Sequence, residues 1–276
     1  MFESPVTKRD LIFFSIFSLI ILLAVFLFSF FDERTKIVFC NVGQGDAAYI
    51  RIRNKTDVLV DAGPDKSVLS CLGKYMPFWD RKIELIFISH NQKDHFGGLD
   101  QLMERYKIDE IYFVNDLNTS LQSFKRLKQK IIDKKVNIEE SFAGKIIQGK
   151  FKILWPPRGF NSTNDNDYSS VVLFNDVLFT GDASPFVLSR LSHPVKTGHA
   201  PSLQNINILK IPHHGSKNGL TKSFLDLADP GVAVISVGKN NSYGHPSQKV
   251  LDMLKAKKTK IRRTDVEGDI VFKLPN

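Results

Sequence analysis

A chain of 276 residues, 42% of them hydrophobic, can bury the core of one sizeable globular domain or two small ones. Its net charge of +9 favours polyanionic partners such as nucleic acid, anionic lipid or a cell-wall polymer. Two cysteines, Cys40 and Cys71, are too few for a disulfide-built scaffold, and the sequence leaves their pairing open.

Residues 1–10 form a short tail. Leu11 to Phe31 then runs without a charge, interrupted only by Ser15, Ser18 and Ser29. As a helix rising about 1.5 Å per residue it matches the hydrocarbon thickness of a bilayer, and no small-x-small cleavage site follows it. An uncleaved single-pass anchor over 11–31 is therefore expected, with residues 32–276 as the folded domain. Lys8 and Arg9 before the run nearly balance Arg34 and Lys36 after it, so loop charge does not orient the helix. A short tail usually stays inside, which would leave the domain on the outer side of the cell membrane.

Short strands come next, at 37–40, 47–52 and 58–60, parted by Gly43-Gln44-Gly45-Asp46 and Arg53-Asn54-Lys55-Thr56 turns. A helix over 67–75 leads to the apolar strand 83–88, which runs into the loop Ser89-His90-Asn91-Gln92-Lys93-Asp94-His95-Phe96-Gly97-Gly98. Helices are predicted near 98–107 and 119–132, and strands at 151–155, 170–175, 177–180 and 207–211. A helix near 221–227, a strand at 232–236, a helix near 247–257 and strands at 260–263 and 269–273 complete one layered α/β domain. Basic clusters at 125–135 and 255–263 add to the polyanion expectation. His193 and His199 fall in a loop that reads as a surface insertion.

Candidate ligands recur where an apolar strand stops and a glycine-containing turn begins. These are Asp61, then His90, Asp94 and His95, then Asp182, then His213 and His214. In layered α/β folds such strand ends lie along one edge, so the four groups can converge on one site. Imidazole mixed with carboxylate suits zinc, manganese or iron, and an aspartate between two sites can bridge two cations.

Several motifs follow one another in order: Asn41-Val42-Gly43-Gln44-Gly45-Asp46, Val60-Asp61-Ala62-Gly63-Pro64, the histidine loop, and Asn166-Asp167-Tyr168-Ser169-Ser170. Thr180-Gly181-Asp182, Lys210 with Pro212-His213-His214-Gly215-Ser216, and Tyr243-Gly244-His245-Pro246 come after them. With these motifs the chain resembles metallo-β-lactamase-fold hydrolases, and specifically the C-terminal domain of the ComEC family of DNA-uptake competence proteins. The resemblance implies a four-layer αββα sandwich holding one or two divalent ions, zinc or manganese. It implies His90 as ligand of a first metal position, Asp94, His95 and His214 as ligands of a second, and Asp182 as the bridging carboxylate. His213, His245 and Lys210 would act on phosphate, with Asp182 holding the attacking water. Asp61, Asp46, Asn166 and Ser169 would support the ligands. Gln92 stands where the family usually has aspartate or histidine, which weakens the first position, and Asn41 replaces the family's usual aspartate. The family's long membrane channel is absent from this sequence, and one hydrophobic stretch stands in its place.

The expected function is a membrane-anchored, metal-dependent phosphodiesterase or nuclease acting on extracellular DNA, with a separate channel protein as a possible partner. The alternatives are a hydrolase of another surface phosphoester or lactone, and a DNA-binding member whose metal site has degenerated.

Overall fold

The computed structural model describes residues 7–30, 33–114, 122–192, 203 and 205–275, without the side chains of 25–30 and 122–123. After helix α1 (Lys8–Phe30), strands β1 (Thr35–Phe39), β2 (Ala48–Ile52) and β3 (Thr56–Val60) form a meander. Helix α2 (Ser67–Tyr75) crosses to β4 (Lys82–Ile88), and the one-turn α3 (Lys93–Phe96) and α4 (Leu99–Arg105) lead to β5 (Lys107–Phe113). Helix α5 (Gln122–Asp133) and β6 (Asn137–Glu140) complete this half; β14 (Ile270–Leu274) returns to it from the far end of the chain.

The second half holds β7 (Ile146–Ile147), β8 (Phe151–Trp155), β9 (Val171–Phe174) and β10 (Val177–Phe179). Helix α6 (Pro185–Ser192), β11 (Ile208–Lys210), α7 (Lys222–Ala228) and β12 (Val232–Ile235) follow. Helix α8 (Gln248–Ala256), β13 (Lys260–Arg263) and α9 (Thr264–Glu267) then lead into β14. Among the described residues two seven-stranded sheets result, ordered β14-β1-β2-β3-β4-β5-β6 and β13-β12-β11-β10-β9-β8-β7.

Period-two patterning sorts the side chains of each strand into two cores. Leu85 and Phe87 of β4 face the opposite sheet, where Phe87 meets Phe151 at 5.1 Å between ring centroids, while Ile86 and Ile88 face the helices. The second sheet repeats the device: Val232 and Val234 point between the sheets, and Ala233 and Ile235 point to α7 and α8. Three apolar layers therefore hold four layers of structure, αββα. Truncating a ring in the middle one, such as Phe87, removes about 3–5 kcal/mol.

The chain departs from the expected elements in identifiable places. The helix near 98–107 ends at Arg105, and an unexpected strand, β5, begins at Lys107. Ile108 and Ile111 are spaced three apart around Asp109-Glu110, so the segment reads as helix, yet it pairs in parallel with β4 on one side and β6 on the other. The loop carrying His193 and His199 lies outside the described residues.

The apolar side chains of α1 from Leu11 to Leu23 are 46–66% exposed. Among the described residues, no helix is long and apolar enough to cross a membrane. The anchor expected over 11–31 thus finds no support among the described residues.

Cys40, just after β1, and Cys71 of α2 form a disulfide with Cα atoms 5.8 Å apart, 31 residues separated in sequence. A cross-link closing a loop of that length removes unfolded-state entropy worth about 3–4 kcal/mol. The Cys40→Ala/Cys71→Ala protein should lose about that much in urea unfolding, and adding reductant should then leave its midpoint unchanged. A loss below 1 kcal/mol would show that the bond does not constrain the unfolded chain.

Candidate metal centre

Strand direction brings the site together. β3 and β4 run parallel, as do β10 and β11, and the carboxyl ends of all four open on one edge of the sandwich. Asp61 follows β3 with φ of +60°, a left-handed conformation that turns its carboxylate back beneath the next strand end. There it accepts from Ser89 N (2.8 Å) and Ser89 Oγ (2.9 Å), and from His95 Nδ1 (2.9 Å). Gly97 and Gly98 let the histidine loop settle on the 62–65 turn: a Cβ on either would lie 2.1 Å from the carbonyl of Pro64 or Ala62.

His213 and His214 follow β11 on a 3₁₀ turn, Pro212–Gly215, with φ of +50° and +51°. Sequence neighbours on a strand would point to opposite faces, but here two left-handed residues send both rings to the same edge. Backbone strain of this kind persists where surrounding contacts impose it, and functional sites are its usual home. His214 is buried, and its Nδ1–H donates to Ser236 O at 2.9 Å.

With Nδ1–H of His95 and His214 donated to those acceptors, their Nε2 atoms are left facing inward. His95 Nε2 lies 3.3 Å from Asp182 Oδ1 and His214 Nε2 lies 3.5 Å from the same oxygen. Asp46 closes the group, and ligand atoms of Asp46, His95, Asp182 and His214 all lie within 4.8 Å of one another. Asp94 stands at the rim, its Oδ2 3.3 Å from His214 Nε2 and 3.7 Å from His95 Nε2. His90, beside His95 with ring centroids 4.3 Å apart, buries its Nε2 as well.

Buried polar atoms normally find hydrogen-bond partners. Among the described residues, Nε2 of His90, His95 and His214, Oδ1 of Asp182 and Oδ1 of Asp46 have none, while Asp46 Oδ2 has its ion pair with Lys210. Four carboxylates, Asp46, Asp61, Asp94 and Asp182, meet one ammonium, that of Lys210. The resulting field is strongly negative. Burial works to neutralise the imidazoles, yet Asp182 and Asp61 hold His95 protonated far above its ordinary range. Asp182 and Asp46 push His214 up to about 9 against the same burial. His90, pulled down to about 3 by burial and by His95, stays neutral. Buried Nε2 atoms that an ion could hold in place of protons, mixed imidazole and carboxylate donors and four converging carboxylates together fit a divalent cation.

Two expected roles change. Asp46, expected as a supporting group, places its carboxylate among the four clustered ligand groups. The Lys210 ammonium, expected beside the phosphate, is buried under the cluster, ion-paired with Asp46 and donating to Gly181 O at 2.8 Å. Its side chain holds Asp46 and the turn before Asp182, 3.8 Å from Asp182 Oδ1, and does not itself line the open cleft. The Gly-Gln-Gly-Asp turn carried the missing signal for Asp46, because it connects β1 to β2 at the same edge as Asp61.

Above the cluster lies an open cleft of ≈ 420 Å³, with Asp94, Asp182, His214 and His213 on its inner wall and Gln92, Lys93, Tyr243 and His245 among its outer residues. Asn166 Nδ2 donates to His213 Nδ1 at 3.3 Å and so leaves the proton on Nε2, 3.8 Å from Asp182 Oδ2. The His245 ring stands 6.0 Å from that of His213. Ser169 Oγ accepts from Asp182 N at 3.1 Å. Gln92 reaches Asn166 Oδ1 with its amide at 3.4 Å, and Asn41 uses its side-chain oxygen to accept from Gly43 N at 3.4 Å.

A family model described as the metallo-beta-lactamase superfamily matches residues 40–239, which span every ligand candidate of the cluster. The chain belongs to the metallo-β-lactamase superfamily. It is 27% identical over 278 residues to ComE operon protein 3 of Bacillus subtilis, a match covering 93% of this chain and 35% of that protein. It is also 27% identical over 246 residues to Recombination protein 2 of Haemophilus influenzae, covering 83% of this chain and 28% of that one. The chain thus spans about a third of the length of the curated relatives it matches. Within the superfamily fold, the metallo hydrolase Igni18 of Ignicoccus hospitalis superposes with a TM-score of 0.54 at 14% identity, covering 87% of this chain and all (100%) of that one.

Proposed function

We propose that the chain is a membrane-anchored, divalent-metal-dependent phosphodiesterase that cuts DNA outside the cell, in DNA uptake or processing. The observation that carries this reading is the buried Asp46–His95–Asp182–His214 cluster, with its unpartnered ligand atoms, opening on a cleft edged by Lys93, His213 and His245. Similarity to Recombination protein 2, named for a process that acts on DNA, supports DNA as the substrate. The Cys40–Cys71 disulfide supports an oxidising compartment, and the exposed apolar side chains of α1 support a membrane partner for that helix.

His95, Asp182 and His214 would hold the ion together with Asp46 or Asp94, and His90 would serve a second ion. When bound, zinc or manganese would supply a Lewis acid that activates water and offsets charge on the phosphate oxygens. The protein's own groups do the positioning. Asp61 and Ser236 O fix the rings of His95 and His214; Asn166 fixes the tautomer of His213 so that Nε2–H can donate to a phosphate oxygen in the cleft. His245 and Lys93 line the path of the neighbouring phosphates.

The test is hydrolysis of single- and double-stranded DNA by the full chain with added Mn²⁺, Zn²⁺ or Mg²⁺. Metal-dependent cleavage by the native chain, lost with His213→Ala and His214→Ala, supports the proposal. Cleavage of a lactone or a wall phosphoester with DNA left intact would replace it.

Gln92 offers a graded check. Gln92 lines the cleft and its side chain acts on the buried His90, so a carboxylate at this position would stand beside that ring. Gln92→Asp should raise affinity for a second ion about tenfold and increase turnover at limiting metal. Unchanged metal titration curves would mean that this chain works with one ion.

A further inference from the structure

The end of the first sheet opposite the cluster carries a feature that the cleft does not use. Phe78 and Trp79, in the loop between α2 and β4, are 79% and 59% exposed, with their rings edge to face at 4.9 Å. The loop is braced. Asp80 N donates to Pro77 O at 3.0 Å, and the Asp80 carboxylate accepts from Lys82 N at 3.3 Å and from the Arg51 guanidinium at 3.1 Å. Arg51 is itself buried and paired with Asp57 at 2.6 Å. Two large rings are therefore held out into solvent by a buried ion-pair network, an arrangement that marks a contact surface.

Strand directions say what lies next to them. β1 is antiparallel to β2, β2 to β3, and β3 is parallel to β4, so β1 and β4 start at the same end. The chain leaving the apolar helix α1 thus reaches the sheet at the end where Phe78 and Trp79 stand. Arg53 and Lys55 in the β2–β3 turn, Arg81 before β4 and Lys107 at the start of β5 are exposed at that end. Of the acids there, Asp80, Glu84 and Asp109 are engaged by Arg51 and Lys82, and Glu33, exposed just before β1, stands against the four exposed basic side chains. The result is an aromatic pair beside a basic rim. The candidate metal centre lies at the other end, beyond strands of five to seven residues, about 17–23 Å away.

We propose that this end of the sheet rests on an anionic lipid bilayer, with Phe78 and Trp79 in the interfacial layer and Arg53, Lys55, Arg81 and Lys107 on the headgroups. The proposal rests on the reading of α1 as a membrane helix and adds the orientation of the domain. Tryptophan favours the membrane–water interface, basic side chains favour anionic headgroups, and both stand where the chain arrives from α1. Docked this way, the cleft opens away from the membrane, towards a polymer arriving from outside.

The test uses the full chain reconstituted into nanodiscs of phosphatidylglycerol with phosphatidylcholine, or of phosphatidylcholine alone, with brominated acyl chains as quenchers. The Trp79 contribution is the difference in emission between the native chain and Trp79→Phe, Trp155 being buried. Quenching of that contribution in anionic discs, lost with Arg53→Glu/Lys55→Glu/Arg81→Glu, is expected. A chain that enters the discs while Trp79 emission ignores the bromine overturns the docking and leaves the anchor reading intact. A chain that does not enter the discs overturns both. Equal quenching in the two lipids overturns the role given to the basic rim.

Discussion

Asp182→Asn should weaken divalent-ion binding by more than about 100-fold and abolish metal-dependent hydrolysis while leaving the fold in place. Loss of an outer partner of a metal ligand typically costs 10–100-fold, and Asp182 stands at the centre of the cluster. Its Oδ1 is the atom that both His95 Nε2 and His214 Nε2 approach, at 3.3 and 3.5 Å, so one ion there could meet all three. Asparagine keeps the shape and the backbone bond to Ser169 Oγ but removes the negative charge. Calorimetric titration with Mn²⁺ and a DNA cleavage assay read the two losses. Retention of both would place the metal chemistry elsewhere.

Lys210→Met should destabilise the metal-free protein by about 3–5 kcal/mol, because it leaves a buried carboxylate without its partner. Burial alone would raise the Asp46 pKa, yet the Lys210 ammonium, with help from His214 and His95, holds it below the usual carboxylate range. Without Lys210, burial prevails and Asp46 takes up a proton on folding. The deficit should therefore be largest near neutral pH and shrink as the solution is acidified and protonation relieves the charge. A divalent ion should also recover part of it, since the cation supplies the charge that Lys210 supplied. Urea unfolding at two pH values, with and without Mn²⁺, measures all three effects. A loss under 1 kcal/mol would mean that Asp46 does not depend on this pair.

Much of this architecture was legible in the chain, for physical reasons that differ from one element to the next. β4 announces itself as a continuous apolar run because both of its faces are covered, one by α-helices and one by the other sheet. α2 is legible through the spacing of Val68, Cys71 and Leu72, its buried residues. β5 was hidden by Asp109 and Glu110, charges tolerated because they sit near the basic end of the sheet, where Lys82 meets Asp109 at 2.7 Å. The Cys40–Cys71 pairing could not be read, since only the packing of α2 over β1 brings the two Cα atoms to 5.8 Å.

The site was legible as a set of strand ends and less so as a set of directions. Asp61, His95, Asp182 and His214 each follow a strand, and the sheet order gathers them without further information. Which way each side chain points depends on turns that composition does not specify: the left-handed His213 and His214, and the loop that aims Asp46 inward. The resemblance implied a phosphate contact for Lys210. Only the burial of its amino group beside Asp46 shows that it supports the centre from below.

The central claim is that this buried edge is a divalent-metal centre, and anomalous X-ray scattering from crystals of the full chain grown with Mn²⁺ tests it most directly. The account predicts a manganese peak bonded to Asp182 Oδ1, His95 Nε2 and His214 Nε2 at about 2.0–2.3 Å, absent from Asp182→Asn crystals. Ordered, unoccupied histidines at saturating Mn²⁺ and Zn²⁺, or a metal peak elsewhere on the domain, would contradict it.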